Sequence, residues 1–171
     1  EKLQYGISVD STQTALGLRK GDIPVGVDGN KLISLEEINK EALLGGQTLE
    51  INRDGKEISL PITEDFRTQI LNYKKGFFTP EFTFEVGTVV ANSPAEKAGI
   101  LIDDKIIAVN GFTTPLFSDF TARIDEYKGK TIPLSIERKG QPIELSVAVT
   151  NDGKIGLGAK SEYTKTIVGT K

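Results

Sequence analysis

The chain repeats itself. A block running Gly17-Leu18-Arg19-Lys20-Gly21-Asp22 into Val25-Gly26-Val27-Asp28-Gly29 returns as Gly99-Ile100-Leu101-Ile102-Asp103-Asp104 into Ile107-Ala108-Val109-Asn110-Gly111, at a constant offset (99 − 17 = 82 and 111 − 29 = 82). Further on, Leu49, Ile51, Arg53, Gly55, Ile58 and Leu60 match Leu134, Ile136, Arg138, Gly140, Ile143 and Leu145 at an offset of 85, so a loop of three extra residues separates the two blocks. Self-similarity at a fixed period means that one supersecondary unit is made more than once. The 171 residues divide into two domains of about 80 residues, each able to bury a modest core. The expected boundaries are 1–81 and 82–160, with 161–171 left as a tail.

Local signals follow the same order in each copy. In the second, Ser93 caps a one-turn helix, Pro94 takes its first position and Glu96 completes a capping box. Gly17 and Gly99 stand where the short helices end, a place that favours left-handed backbone. A turn leads into a buried strand, 25–27 or 106–109, closed by Asp28-Gly29 or Asn110-Gly111. Both dipeptides suit two-residue hairpin turns. A longer helix follows. In the first copy Ser34 caps it, Glu37 closes the box, Leu35, Ile38 and Ala42 share a face, and Gly45-Gly46 end it. In the second it spans 116–127, with Phe117, Phe120 and Ile124 on one face and Gly129 beyond. Alternating strands then form a hairpin, 49–53 with 58–62 about Asp54-Gly55, or 132–137 with 143–149 about Lys139-Gly140. The charged run 53–57 reads as a solvated hairpin tip, and Asp103-Asp104 as a structural or solvated pair at a turn. The fold class expected is mainly β with short helices (α+β), a small antiparallel barrel-like unit with two helices, made twice. Residues 63–75 do not repeat and read as a short helix or irregular connector carrying Phe66, Ile70 and Leu71 between the units. The tail loses the strand pattern and looks frayed.

Missing residue types narrow the chemistry. With no Cys there is neither a disulfide nor a thiol nucleophile. With no His, a Ser–His–Asp triad and an HExxH metal site are both excluded within these residues. A net charge of −3 gives no electrostatic case for nucleic acid. No run approaches the ~20 apolar residues needed to cross a bilayer. Methionine is absent throughout, position 1 included, as expected of a piece cut from a longer chain.

The run Asn92-Ser93-Pro94-Ala95-Glu96-Lys97-Ala98-Gly99-Ile100, followed by Asp104 and Val109-Asn110-Gly111, resembles the signature of bacterial PDZ domains. The order of elements resembles their circularly permuted form, in which the ligand-binding strand comes last. Two such domains in series resemble the periplasmic insert of site-2 (RseP-type) intramembrane zinc metalloproteases, over roughly residues 5–160. Two departures stand out. Asp103 replaces the glycine usual in the turn, and Gln13-Thr14-Ala15-Leu16 replaces Pro-Ala-x-x-Ala, so an irregular helix cap is expected in the first copy.

The resemblance implies a groove between a strand edge and the longer helix. A peptide adds there as an extra strand, and its terminal carboxylate meets backbone N–H groups of a Gly-containing loop. In the second copy Lys154, Ile155, Gly156, Leu157 and Gly158 would supply the loop and strand, Lys154 adding positive charge, opposite Phe117, Phe120 and Ile124. In the first, Gly76, Phe77, Phe78 and Thr79 would be the strand, facing Leu35, Ile38 and Ala42. The same helical stripes equally suit a core, and Phe77 and Phe78 equally suit pinning the linker. The expected role is a periplasmic gate on a bacterial inner-membrane zinc protease acting in regulated intramembrane proteolysis, binding peptide segments or filtering them by steric exclusion alone; a scaffold with closed grooves and no peptide ligand is a further reading. Its partners would be a peptide or C-terminus of a membrane-protein substrate and the transmembrane catalytic core of the same chain. The zinc ligands would lie on that core, and this part would hold no cofactor. The alternative is an adaptor or targeting module of a periplasmic serine protease or secretion protein.

Overall fold

The computed structural model describes residues 3–74 and 76–160, and the tail expected at 161–171 lies outside the described residues. The chain divides between Glu81 and Phe82 into two compact units, each with its own hydrophobic core. The first comprises β1 (Ile7–Ser8), α1 (Ser11–Ala15), β2 (Ile23–Val27), β3 (Asn30–Lys31), α2 (Leu35–Leu43), β4 (Thr48–Arg53), β5 (Lys56–Pro61), α3 (Glu64–Asn72) and β6 (Thr79–Pro80). The second comprises β7 (Val86–Val89), α4 (Pro94–Lys97), β8 (Lys105–Val109), β9 (Phe112–Thr113), α5 (Phe117–Asp125), β10 (Thr131–Arg138), β11 (Gln141–Ala148) and β12 (Leu157–Ala159). Element matches element, and α3 alone has no counterpart. Each unit holds a four-stranded antiparallel sheet, β3-β2-β4-β5 or β9-β8-β10-β11, and pairs its first strand with its last, β1 with β6 and β7 with β12. The architecture is mainly β with short helices, in two PDZ-like units.

Four two-residue turns set the registers. Asp28-Gly29, Asp54-Gly55, Asn110-Gly111 and Lys139-Gly140 have positive φ at both residues, from 48° to 81°. That is the type I′ geometry, whose twist matches the flanking strands.

A carboxylate–guanidinium clasp closes each unit. Arg138, the last residue of β10, donates through Nε to Asp104 Oδ1 and through Nη2 to Oδ2, both at 2.7 Å, and through Nη2 again to the Gly99 carbonyl at 2.8 Å. The Leu101 amide adds a bond to Asp104 Oδ2 at 2.8 Å. The first unit repeats every contact: Arg53 meets both oxygens of Asp22 and the Gly17 carbonyl at 2.8 Å, and the Arg19 amide meets Asp22 at 2.7 Å. Asp22 and Asp104 are each 1% exposed, so their charges stand only because these donors replace water. Arg53 is therefore not part of a solvated tip. Only residues 54–57 are. Burial opposes ionisation of Asp104, but Arg138 and the Leu101 amide outweigh it and hold the carboxyl below its ordinary value of 3.8. Asp103 is set apart from Asp104: at φ +73° it takes the left-handed position that Gly21 fills at φ +87° in the first unit.

Two helix expectations change. The first copy's cap is regular, because Asp10 accepts from the Gln13 amide at 3.0 Å and Gln13 Oε1 accepts from the Asp10 amide at 2.9 Å. Asp10 is the cap, one turn ahead of the residues that departed from the family pattern. The short helix expected within 63–75 forms as α3, but its apolar face belongs to the first unit's core. Thr63 caps α3, whose Phe66 and Ile70 enter the first unit's core while Leu71 stays 71% exposed.

Asp104→Asn keeps the shape but loses the charge that Arg138 clasps. At neutral pH it should lower unfolding stability of the second unit by roughly 1.5–3 kcal/mol, the worth of hydrogen bonds to a charged group. The folded carboxyl lies below its unfolded value, so its contribution is full above pH 3.8 and fades as pH falls through the folded value. Urea titrations should therefore show the gap between variant and parent closing in acid.

Candidate functional site

The last strand of the second unit is built outward from the clasp. The Val86 amide donates to the Asp104 carbonyl at 2.8 Å, and the Asp103 amide to the Val86 carbonyl at 2.9 Å, which seats β7 on the turn. β12 then pairs with β7 through Leu157↔Val89, Gly158↔Thr88 and Ala159↔Val86, the register shifting past Gly87. An added Cβ on Gly87 would fall 2.7 Å from the Lys160 Cα, so no larger residue fits this crossing. Bonds from the Val90 amide to the Gly156 carbonyl (2.9 Å) and from the Lys160 amide to the Glu85 carbonyl (3.0 Å) flank the pairing. In such an antiparallel register the intervening Leu157 and Ala159 turn their own N–H and C=O groups away from β7. Among the described residues no strand pairs with that side.

Just before the strand, successive backbone amides have no protein acceptor among the described residues. Gly156 is left-handed, at φ +86°, and the amides in question are those of Ile155 and Gly156. With Leu157 they form three successive N–H groups around a reversed residue, the kind of arrangement in which backbone donors converge on one anion. Only glycine serves at 156: an added Cβ would lie 2.3 Å from Ser93 Cβ and 2.6 Å from its Oγ. The loop is tied to α4, whose Ala95 amide donates to the Ile155 carbonyl at 2.8 Å. On its far side Thr150 Oγ1 accepts from the Lys154 amide at 2.9 Å. The strand's outer end is locked by Lys160, whose ammonium bridges Asp103 at 2.7 Å and Glu85. Asp103 first, and then Glu85, push its pKa up.

The predicted site residues separate into backbone and core. Ile155 is buried, and Leu157 packs partly against the second unit's core. Phe120 and Ile124 are core residues, Phe120 meeting Phe84 at 4.8 Å in an edge contact. Phe117 is half-buried and stacks on Phe82 at 5.0 Å, the most open of the three predicted helix residues. Lys154 is solvent-exposed and paired with Asp152 at 3.3 Å. In the first unit the strand expected at 76–79 begins only at Thr79. The strand is Thr79–Pro80, because Phe77 and Phe78 are drawn inward, Phe77 against Phe66 at 5.2 Å and Tyr73 at 5.1 Å. Leu35, Ile38 and Ala42 are all buried in the same core. Sequence reading missed Ala159, Gly87 and Lys160. Ala159 carries no side-chain signal, since its contribution is a backbone position. A concavity of about 420 Å³ in the first unit, between Asp28, Leu32, Glu41 and Leu44, contains none of the predicted residues, and the Asp28 carboxylate there is already taken by the Gln47 and Thr48 amides.

Residues 85–121 match the family model for the PDZ domain, covering β7, α4, β8, β9 and the start of α5. The match lies wholly within the second unit. The regulator of sigma E protease from Haemophilus influenzae is 33% identical over 88 residues, covering 50% of this chain and 19% of its own. The regulator of sigma-E protease RseP from Escherichia coli is 32% identical over 68 residues, covering 40% and 15%. The zinc metalloprotease RasP from Shouchella clausii is 27% identical over 81 residues, covering 43% and 19%. The chain carries a match to the PDZ domain and is similar over half its length or less to RseP-type proteases, and it spans about a fifth or less of the length of these relatives. The crystal structure of the serine endoprotease from Yersinia pestis overlaps 61% of this chain and 43% of its own at a TM-score of 0.37 and 20% identity, too distant to carry an argument. Zinc does not fit these residues: the sequence has no His or Cys, and the described residues contain no cluster of three carboxylates. No helix among them is long and apolar enough to cross a membrane.

Gly156→Ala should destabilise the second unit by at least about 1–2 kcal/mol from left-handed backbone alone, with the Ser93 overlap added. Phe120→Ala should cost about 3–5 kcal/mol as a core truncation. Chemical denaturation followed by tyrosine fluorescence would read both, and an unchanged midpoint for Phe120→Ala would take the ring out of the core.

Proposed function

We propose that this chain is the peptide-reading part of a membrane-embedded zinc metalloprotease, and that its second unit captures an extended peptide by strand addition. The observation that carries the proposal is the edge of β12, unpaired among the described residues, beside the amides of Ile155, Gly156 and Leu157, which meet no protein acceptor among those residues. A peptide laid antiparallel to β12 would complete the bonds of Leu157 and Ala159. Its terminal carboxylate would take the cradle of Ile155, Gly156 and Leu157, and its last side chain would rest near Leu157 and Phe117. Similarity to proteins named as zinc metalloproteases and sigma-E regulators supports reading the parent as such a protease; in this proposal the parent cleaves proteins in the bacterial inner membrane, this part faces the periplasm, and zinc is bound on segments outside this chain. The units then regulate which substrates reach the catalytic core, admitting those whose periplasmic part has been shortened to a new C-terminus. The fragment itself performs no bond cleavage in this scheme.

A free peptide ending in a hydrophobic residue should bind with a micromolar-range Kd, about −8 kcal/mol or weaker. Amidating its terminus removes the anion and should weaken binding about tenfold. Isothermal titration with the two forms tests this, and equal heats from both would remove the carboxylate from the account.

A further inference from the structure

The two copies are not equivalent as peptide sites. Their last strands can be aligned through the clasp rather than through sequence. The Ile7 amide donates to the Asp22 carbonyl at 2.9 Å as the Val86 amide does to that of Asp104, so Ile7 corresponds to Val86. Ile7 pairs with Pro80, and Val86 pairs with Ala159. The bond from the Glu81 amide to the Gly6 carbonyl, at 2.8 Å, likewise matches that from Lys160 to Glu85. Pro80 therefore occupies the position of Ala159, whose backbone faces the open edge. Proline has no N–H, and at an edge it blunts strand addition. Counting back, Phe77 and Phe78 stand where the second unit has Gly156 and Leu157. Neither has positive φ, the nearest reversed residue being Gly76 at φ +95°. The cradle is not formed.

The space beside the loop is also used differently. Gln13, 4% exposed, corresponds to Ala95 at the offset of 82. Its Nε2 donates to the Phe77 carbonyl, so an amide side chain stands where the second unit has a direct main-chain bond. Tyr73 donates its hydroxyl to Asp10 at 2.5 Å and fastens the other end of the same loop.

We infer that only the second unit takes a peptide by strand addition, and that the first is sealed against it by Pro80 at the edge and by the Gln13–Phe77 tie behind it. The occupant of the second is an extended peptide with a free C-terminal carboxylate, as the row of unspent amides requires. The inference rests on the proposed function and adds which copy carries it.

The test is titration of the whole 171-residue chain with an acetylated eight-residue peptide ending in valine with a free carboxylate, by calorimetry and by amide chemical shifts. One site per chain is expected, with shifts at Gly156, Leu157 and Ala159 and none at 77–80. Ala159→Pro installs at the second edge the residue that the first unit already holds there. It should keep the circular dichroism spectrum and weaken binding at least tenfold. Two sites per chain, or shifts at Phe78 and Thr79, would overturn the asymmetry while leaving peptide capture intact. Heat and shifts absent everywhere would instead remove the capture reading, and the inference with it. If Ala159→Pro fails to fold, the stoichiometry and shift map of the unaltered chain decide alone.

Discussion

One carboxylate in each unit, almost wholly withdrawn from water, organises everything around it. Asp22 and Asp104 lose hydration that only a full set of donors can replace, and Arg53 and Arg138 provide two bonds each in the planar fork that a lysine lacks. The clasp joins the end of the long hairpin to the turn after the short helix. The first strand of the unit hangs on that turn through the carbonyl of the same aspartate, and the last strand hangs on the first. In the second unit the amides around Gly156 hang on the last strand. The open edge is thus linked by hydrogen bonds through the turn and the first strand to a buried ion pair, and Leu157 and Ala159 also pack against the core.

That order explains what the amino-acid sequence could show. Repetition at 82 and 85, Xaa-Gly turns and capped helices are local or periodic signals, and they specified two α+β units and most of their elements. Gly156 and Leu157 were named through the resemblance, and the structure places them where the last strand begins, with Gly156 at positive φ. The clasp was not legible. Arg53 sits beside Asp54-Gly55 in a run that looks solvated, and its partner lies 31 residues away. The strand of the first unit was misplaced for a related reason. Two phenylalanines next to a turn look like strand residues, but Phe66 and Tyr73 offered them ring partners that a ladder does not.

The copies diverged where constraint was weakest. The offset of 82 holds from the short helices through the first hairpins, then falls to 79 (86 − 7 = 79) at the first strands, because the second unit carries three more residues there, Gly87 in the shifted register among them. The core and the clasp tolerate no such change, since either would leave a cavity or an unpaired charge. The edge strand tolerates it well: it is two or three residues long, and its outward groups are hydrogen-bonded by water when nothing else is present. A proline at such an edge harms folding little while removing a binding rung, so a duplicated unit can lose the site and keep the fold.

The shortness of β12 also sets what kind of recognition it can support. An exposed strand is a template for unwanted pairing, and here it is limited at both ends. Gly156 reverses the chain at one, and at the other Lys160 is held between Asp103 and Glu85. Two outward rungs and the amides around Gly156 remain. Each hydrogen bond contributes only about 0.5–1.5 kcal/mol net of water, so the backbone alone cannot hold an internal segment of a longer chain firmly. A terminal carboxylate changes the balance, because bonds to a charged group are roughly twice as strong as neutral ones. The geometry therefore favours chain ends over chain interiors, and it favours release on the timescale of a weak complex.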